Sequence, residues 1–144
     1  MRALVPAVLI CTFAAAASAQ TEAEKLQIAI SRAGSVEKLL EKVAREQSAG
    51  TPRSIAPNME LKSVAASGLT LKSTVVFTTV ASKRAFDPTQ MRVQAGTSAV
   101  CQSTTGQLIQ NHGVVVAYEY VAANSEPVYL QVVDAAACKQ IAPR

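Results

Sequence analysis

Between Thr21 and Ser48 apolar residues recur at helical spacing. Leu26, Ile30, Val36, Leu39, Leu40 and Val43 share one face, and Ala, Glu, Lys and Gln, all good helix formers, fill the remainder. Gly34-Ser35 interrupts the run, and Ser35 is placed to cap a second segment over Val36 to Gln47. Glu37 and Glu41 interleave with Lys38 and Lys42 on the outer side, the pattern of a solvated helix surface. Ser48 to Asn58, SAGTPRSIAPN, then carries two prolines and a glycine and is expected to be a loop.

From Met59 the period changes from helical to two. Leu69, Leu71, Ser73, Val75 and Phe77 fall on one side of an extended chain, Thr70, Lys72, Thr74, Val76 and Thr78 on the other. Ser67-Gly68 suits a hairpin turn between two antiparallel strands. Asp87-Pro88 has the form of a helix start, with Asp87 as cap and Pro88 where a missing N–H costs nothing. That helix should run toward Cys101 through Met91, Val93 or Ala95, and Val100, weakened by Gly96. A shorter turn, Gln107 to Asn111, should end at Gly113. Val114 to Val121 and Val128 to Val133 read as a second hairpin around the loop Ala123 to Pro127.

Helix, two strands, helix, two strands is an α+β order. The expected domain has a long N-terminal helix and a second helical region packed on one face of a four- to five-stranded antiparallel sheet. The other sheet face is expected to carry the Thr, Lys and Tyr side chains.

The first residues change the picture of where the chain works. Arg2 precedes an apolar run from Ala3 to Ala16, and Ala17 and Ala19 stand where a cleavage site wants small residues. Residues 1–19 are therefore expected to be a signal peptide, and residues 20–144 a single domain. Cys11 lies inside the leader and follows Ile10, whereas a lipoprotein processing site favours Gly, Ala or Ser there, so no stable membrane anchor is expected. The location expected is periplasmic or secreted. Without the leader two cysteines remain, Cys101 and Cys138, and an even pair in an oxidising compartment reads as a disulfide.

Composition limits the chemistry. The chain has no Trp, three Tyr, three Phe and one His, and a net charge of +4, so its core must be aliphatic and its charge argues for no particular partner. A Cys/His nucleophile would need a free Cys101 beside His112; the competing reading spends Cys101 on Cys138 and leaves His112 at a helix end, where a partly positive imidazole is favourable. One His and a cysteine pair are too few for a zinc site, and no calcium loop, phosphate loop, dinucleotide fingerprint or nucleophile elbow is present. No metal, no cofactor and no catalytic residue are expected. Basic residues are short-range and mixed with acid, so nucleic acid is not an expected partner. Tyr118 and Tyr120 share one strand face and Tyr129 lies across the hairpin. These tyrosines either cover the sheet with their hydroxyls in water or form a partner-binding patch.

Cys101, Leu108, Gly113, Tyr118, Tyr120 and Cys138, preceded by the helix at Val36 to Gln47, resemble a group of small exported disulfide-bonded bacterial proteins that includes type II secretion pilotins. The resemblance implies an N-terminal helix, an antiparallel sheet and a disulfide from the second helical region to the segment after the last strand. It also implies binding of the C-terminal segment of a secretin subunit and delivery of that subunit to the outer membrane. Pilotins need a lipid anchor, and here the position before Cys11 departs from that pattern. The functional expectation is a non-enzymatic periplasmic binding or accessory protein whose partner is another envelope protein. It would bind through the tyrosines or through the groove beside the Val36–Gln47 helix. The alternative is an inhibitor of an envelope or host hydrolase that inserts a loop, Ser48–Asn58 or Ala123–Pro127, into its target.

Overall fold

The computed structural model describes residues 21–87 and 93–141. The expected signal peptide with Cys11, and the helix start at Pro88, lie outside the described residues. Thr21 and Glu24 form a reciprocal capping box: the Glu24 N–H donates to the Thr21 hydroxyl at 3.2 Å and the Thr21 N–H to the Glu24 carboxylate at 3.1 Å. They open α1, Glu22–Ala33, which stops at Gly34 with φ at 97°, a left-handed position that glycine takes without penalty. Ser35 then accepts from the Lys38 N–H and starts α2, Val36–Ser48. The long N-terminal helix expected from the sequence is thus two helices, of 12 and 13 residues, because the break at Gly34-Ser35 carries both a stop and a fresh cap.

Five strands follow in one sheet, β1 Arg53–Ala56, β2 Met59–Ser67, β3 Thr70–Phe77, β4 Val115–Ala122 and β5 Pro127–Val133, laid out in sequence order. β1 occupies part of the stretch expected to be loop, Ser48–Asn58, where Arg53 pairs with Leu61 and Ser54 with Glu60. Ser67 pairs with Thr70, so β2 and β3 close over the two residues Gly68 and Leu69; Gly68, with φ at 57°, takes the first loop position, which a type II′ turn reserves for glycine.

β3 and β4 run parallel, and this corrects the purely antiparallel expectation. Among its described residues the connection between them holds a 3-10 turn, Lys83–Ala85, and two α-helices, α3 Val93–Gln102 and α4 Thr104–His112. A crossover of this length, unlike a hairpin, can return the chain to the end of the sheet from which β3 began. Gly113, at φ 70°, ends α4 and donates its N–H to the Leu108 carbonyl. The last helix, α5 Ala135–Ile141, follows β5 directly.

The core lies between the helices and one sheet face. Leu40 and Ile109 from the helices meet Val75, Val116 and Val133 from the strands, all at most 2% exposed. Gly106, also buried, lies so close to the end of α3 that a side-chain carbon there would overlap the Cys101 carbonyl. The Cys101–Cys138 disulfide joins α3 to α5, with 5.4 Å between the Cα atoms.

A candidate partner-binding surface

Strand register decides where the tyrosines go. Leu71, Ser73 and Val75 of β3 face the core and are buried; their partners across the parallel ladder are Val116, Tyr118 and Tyr120. Tyr118 and Tyr120 therefore point to the helix-bearing side and pack against the core. Tyr129 is paired directly with Tyr120 across β4 and β5 and shares that side. The expected Thr/Lys/Tyr face is corrected accordingly. Thr and Lys do occupy the uncovered side, where Lys72 pairs with Glu119 at 2.8 Å, but the tyrosines oppose it because they alternate with Glu119.

The rings form a connected row. Phe86 stacks on Phe77 with centroids 5.7 Å apart, and Phe77 on Tyr120 at 5.3 Å. Tyr118 and Tyr129 flank Tyr120 at 6.5 Å and 6.2 Å. These separations fall in the range where offset and tilted aromatic pairs attract. All five residues are half-buried, neither closed inside the core nor free in solvent. At the phenylalanine end the row borders a cavity of about 210 Å³ lined in part by Met59, Phe77, Val80, Phe86 and Asp87.

Polar groups hold this row in place. The Tyr120 hydroxyl donates to the Gln131 side-chain carbonyl at 3.1 Å, and the Gln131 amide donates to the Thr97 hydroxyl at 2.7 Å. Gln131 and Thr97 are both buried, so the chain of bonds ties β4 and β5 to α3 in a place where water competes little. Burial pushes the phenol of Tyr118 up from its ordinary pKa, and that of Tyr120 rises chiefly through burial, with the neighbouring Tyr118 and Tyr129 adding to it. A neutral phenol is the form such a surface presents.

The disulfide leaves no Cys101 thiol for His112, which sits in the last turn of α4 beside its Gly113 cap. Among the described residues no group of three or more His, Cys, Asp and Glu comes together in a way that could hold a metal ion. Three members of the surface escaped the sequence reading. Phe77 shared one side of β3 with Leu71, Ser73 and Val75 without being joined to the tyrosines, and Phe86 ends a short 3-10 turn, Lys83–Ala85, that has no periodic signal. Gln131, an amide among Val and Leu in a strand, was the available sign of a buried polar partner.

The family model described as "Putative quorum-sensing-regulated virulence factor" matches residues 29–139. The chain belongs to this family. Among solved structures, this family member is similar to a "putative secreted protein" from Pseudomonas aeruginosa, with 25% identity, a TM-score of 0.61, and coverage of 72% of this chain and 92% of the other. It shares its fold with the pilotin EpsS of the Vibrio vulnificus type 2 secretion system, at 19% identity and a TM-score of 0.59 over 76% of this chain and 94% of the other. The same holds for the type II secretion system pilotin AspS from Vibrio cholerae, at 19% identity and a TM-score of 0.56 over 72% and 92%. No curated protein matches the chain.

Proposed function

We propose that the protein is a non-enzymatic accessory protein of the cell envelope or its exterior, which uses the aromatic row to bind a peptide or helix of an envelope or secretion-system partner. One observation carries this reading: five aromatic side chains, out of six in the whole chain, lie half-buried in a single connected row on the helix-bearing side of the sheet. A satisfied core would hide such rings, and a neutral surface would scatter them; aromatic side chains concentrated at a partly open site are the usual anchors of protein recognition. The disulfide fits an oxidising location outside the cytoplasm, as does the likeness to a secreted protein. No helix among the described residues is long and apolar enough to cross a membrane.

The resemblance of the sequence to type II secretion pilotins implies the partner, the C-terminal segment of a secretin subunit, and the fold shared with two pilotins supports that reading. The test is a binding titration of the full chain with a synthetic peptide copying that segment from the secretin of the same cell, repeated with Tyr120→Ala and Tyr129→Ala. Each substitution is expected to weaken binding by at least about tenfold, the loss typical of a recognition anchor. Circular dichroism establishes that the variants remain folded. Failure of the peptide to bind, or equal affinity for the folded variants, would remove this reading.

A further inference from the structure

The sheet has a second place where a partner fits, remote in chemistry from the aromatic row. Ser67 and Thr70 close a two-residue hairpin and so exchange backbone hydrogen bonds with each other. Ladder alternation then turns the N–H and C=O groups of Ala65 toward β3, and those of Val64 and Ala66 away from it. Val64 confirms the direction. Its C=O accepts from the Ser48 hydroxyl at 2.6 Å and its N–H donates to the same oxygen at 3.1 Å. A single side chain thus does at Val64 what a neighbouring strand would do.

β1 covers this same edge of β2 only from Met59 to Leu61. At Arg53 the chain comes in from α2, and the Arg53 guanidinium donates to the Gln47 carbonyl at 2.8 Å, holding the start of β1 against the helix end. Past that point the edge borders an open cavity of about 350 Å³ lined by Glu41, Ala44, Arg45 and Ser48 of α2 and by Val64, Ala65 and Ala66 of β2. Exposed strand edges with main-chain groups facing outward are templates for an added strand.

We propose that the outer edge of β2 from Val64 to Ser67 receives an extended peptide segment of a partner protein as an added strand, continuing the line of β1. The pleat sends alternate side chains of such a segment toward α2, where the small Ala44 and Ala66 leave room for Val- or Thr-sized groups. Glu41 and Arg45, one helical turn apart, offer opposite charges at the rim, so the segment that fits carries a basic and an acidic residue flanking its apolar ones. Main-chain bonds supply the attachment, and the Ala-lined groove and its two charges supply the selection.

The proposal is tested by NMR on the isotope-labelled full chain. In the free protein the Ala66 amide should exchange with solvent much faster than the Ala65 amide. The probe is a short capped peptide alternating Val and Thr between a terminal Lys and a terminal Glu. It should shift the amide signals of residues 64–67 and slow exchange at Ala66. A twin peptide, N-methylated at alternate amides so that it cannot donate, should bind at least about tenfold more weakly, the equivalent of losing one to two main-chain hydrogen bonds. Ser48→Ala, which frees the Val64 groups, should tighten binding of the unmethylated probe several-fold. Equal binding of the methylated twin, slow exchange of Ala66 in the free protein, or shifts at Tyr118, Tyr120 and Tyr129 in place of residues 64–67 would each overturn it. The last outcome would leave the aromatic-row reading standing, and the two surfaces fail separately.

Discussion

The two halves of the domain hold themselves together by different means. The first, α2 with β1, β2 and β3, relies on signals local in sequence: the Ser35 cap, a two-residue glycine turn and an apolar stripe that buries Leu40 and Ala44 over β2. The second, α3, α4, β4, β5 and α5, has shorter helices, among them α3 with no charged residue, and is tied by the Cys101–Cys138 bond and by the bonds from Tyr120 through Gln131 to Thr97. Weak helices that must close a crossover pay a large ordering cost, and long-range ties offset it. The aromatic row lies where the halves meet, with Phe77 at the end of the first half and Tyr120 in the second.

The sharpest way to break this contrast is to remove the covalent tie. Replacing both cysteines, Cys101→Ala with Cys138→Ala, should lower stability by about 4 kcal/mol on the chain-entropy estimate for a sequence separation of 37. Chemical denaturation reads the loss. Hydrogen exchange in the double variant should rise in α3, α4 and α5 and change little in α2, β2 and β3; a uniform rise would mean that the halves are not distinct.

Leu40→Ala strikes the first half, where the side chain is 1% exposed, and should cost about 3 kcal/mol through lost burial and the cavity left behind. If the halves differ as described, this loss persists unchanged when the disulfide is reduced. Thr97→Val removes the hydroxyl that accepts from Gln131 while nearly keeping its shape, and should cost about 1 kcal/mol. Its cost should add to that of Leu40→Ala, as independent sites do, and a double-mutant cycle checks this.

The smallest effect is one of pH. Burial favours the neutral phenols of Tyr118 and Tyr120, so their folded-state pKa values lie above those of the unfolded chain. The folded protein holds these protons more tightly, and the stability they contribute is complete below about pH 10, the ordinary tyrosine value, and lost as pH rises through the raised folded values. Denaturation curves at neutral and alkaline pH should show this decline. Tyr118→Phe and Tyr120→Phe, which cannot ionise, should flatten it; a decline equally steep in both variants would assign it to other groups.

Much of the secondary structure was legible because its causes are local. The Gly34-Ser35 break, the hairpin at Gly68 and the stop at Gly113 each depend on one or two residues whose backbone or cap chemistry admits few alternatives. β1 was not legible, since Arg53–Ala56 has three exposed residues out of four and becomes a strand only through the edge that β2 offers it. The tyrosine row was half legible: alternation put Tyr118 and Tyr120 together and the hairpin brought Tyr129 to them, but nothing in the alternation said which side of the sheet they shared.

By itself, then, the sequence determined the helix break at Gly34-Ser35, the helix stop at Gly113 and which strand residues alternate; the last helix, Ala135–Ile141, carried no signal that set it apart from the end of the hairpin. The parallel joining of β3 to β4, and with it the turning of the tyrosines toward the helices beside Phe77, was decided only in the tertiary structure. The reason is that strand period and capping are properties of neighbouring residues, whereas the register of β3 against β4 is set by how a crossover of two helices packs its apolar side back onto the sheet.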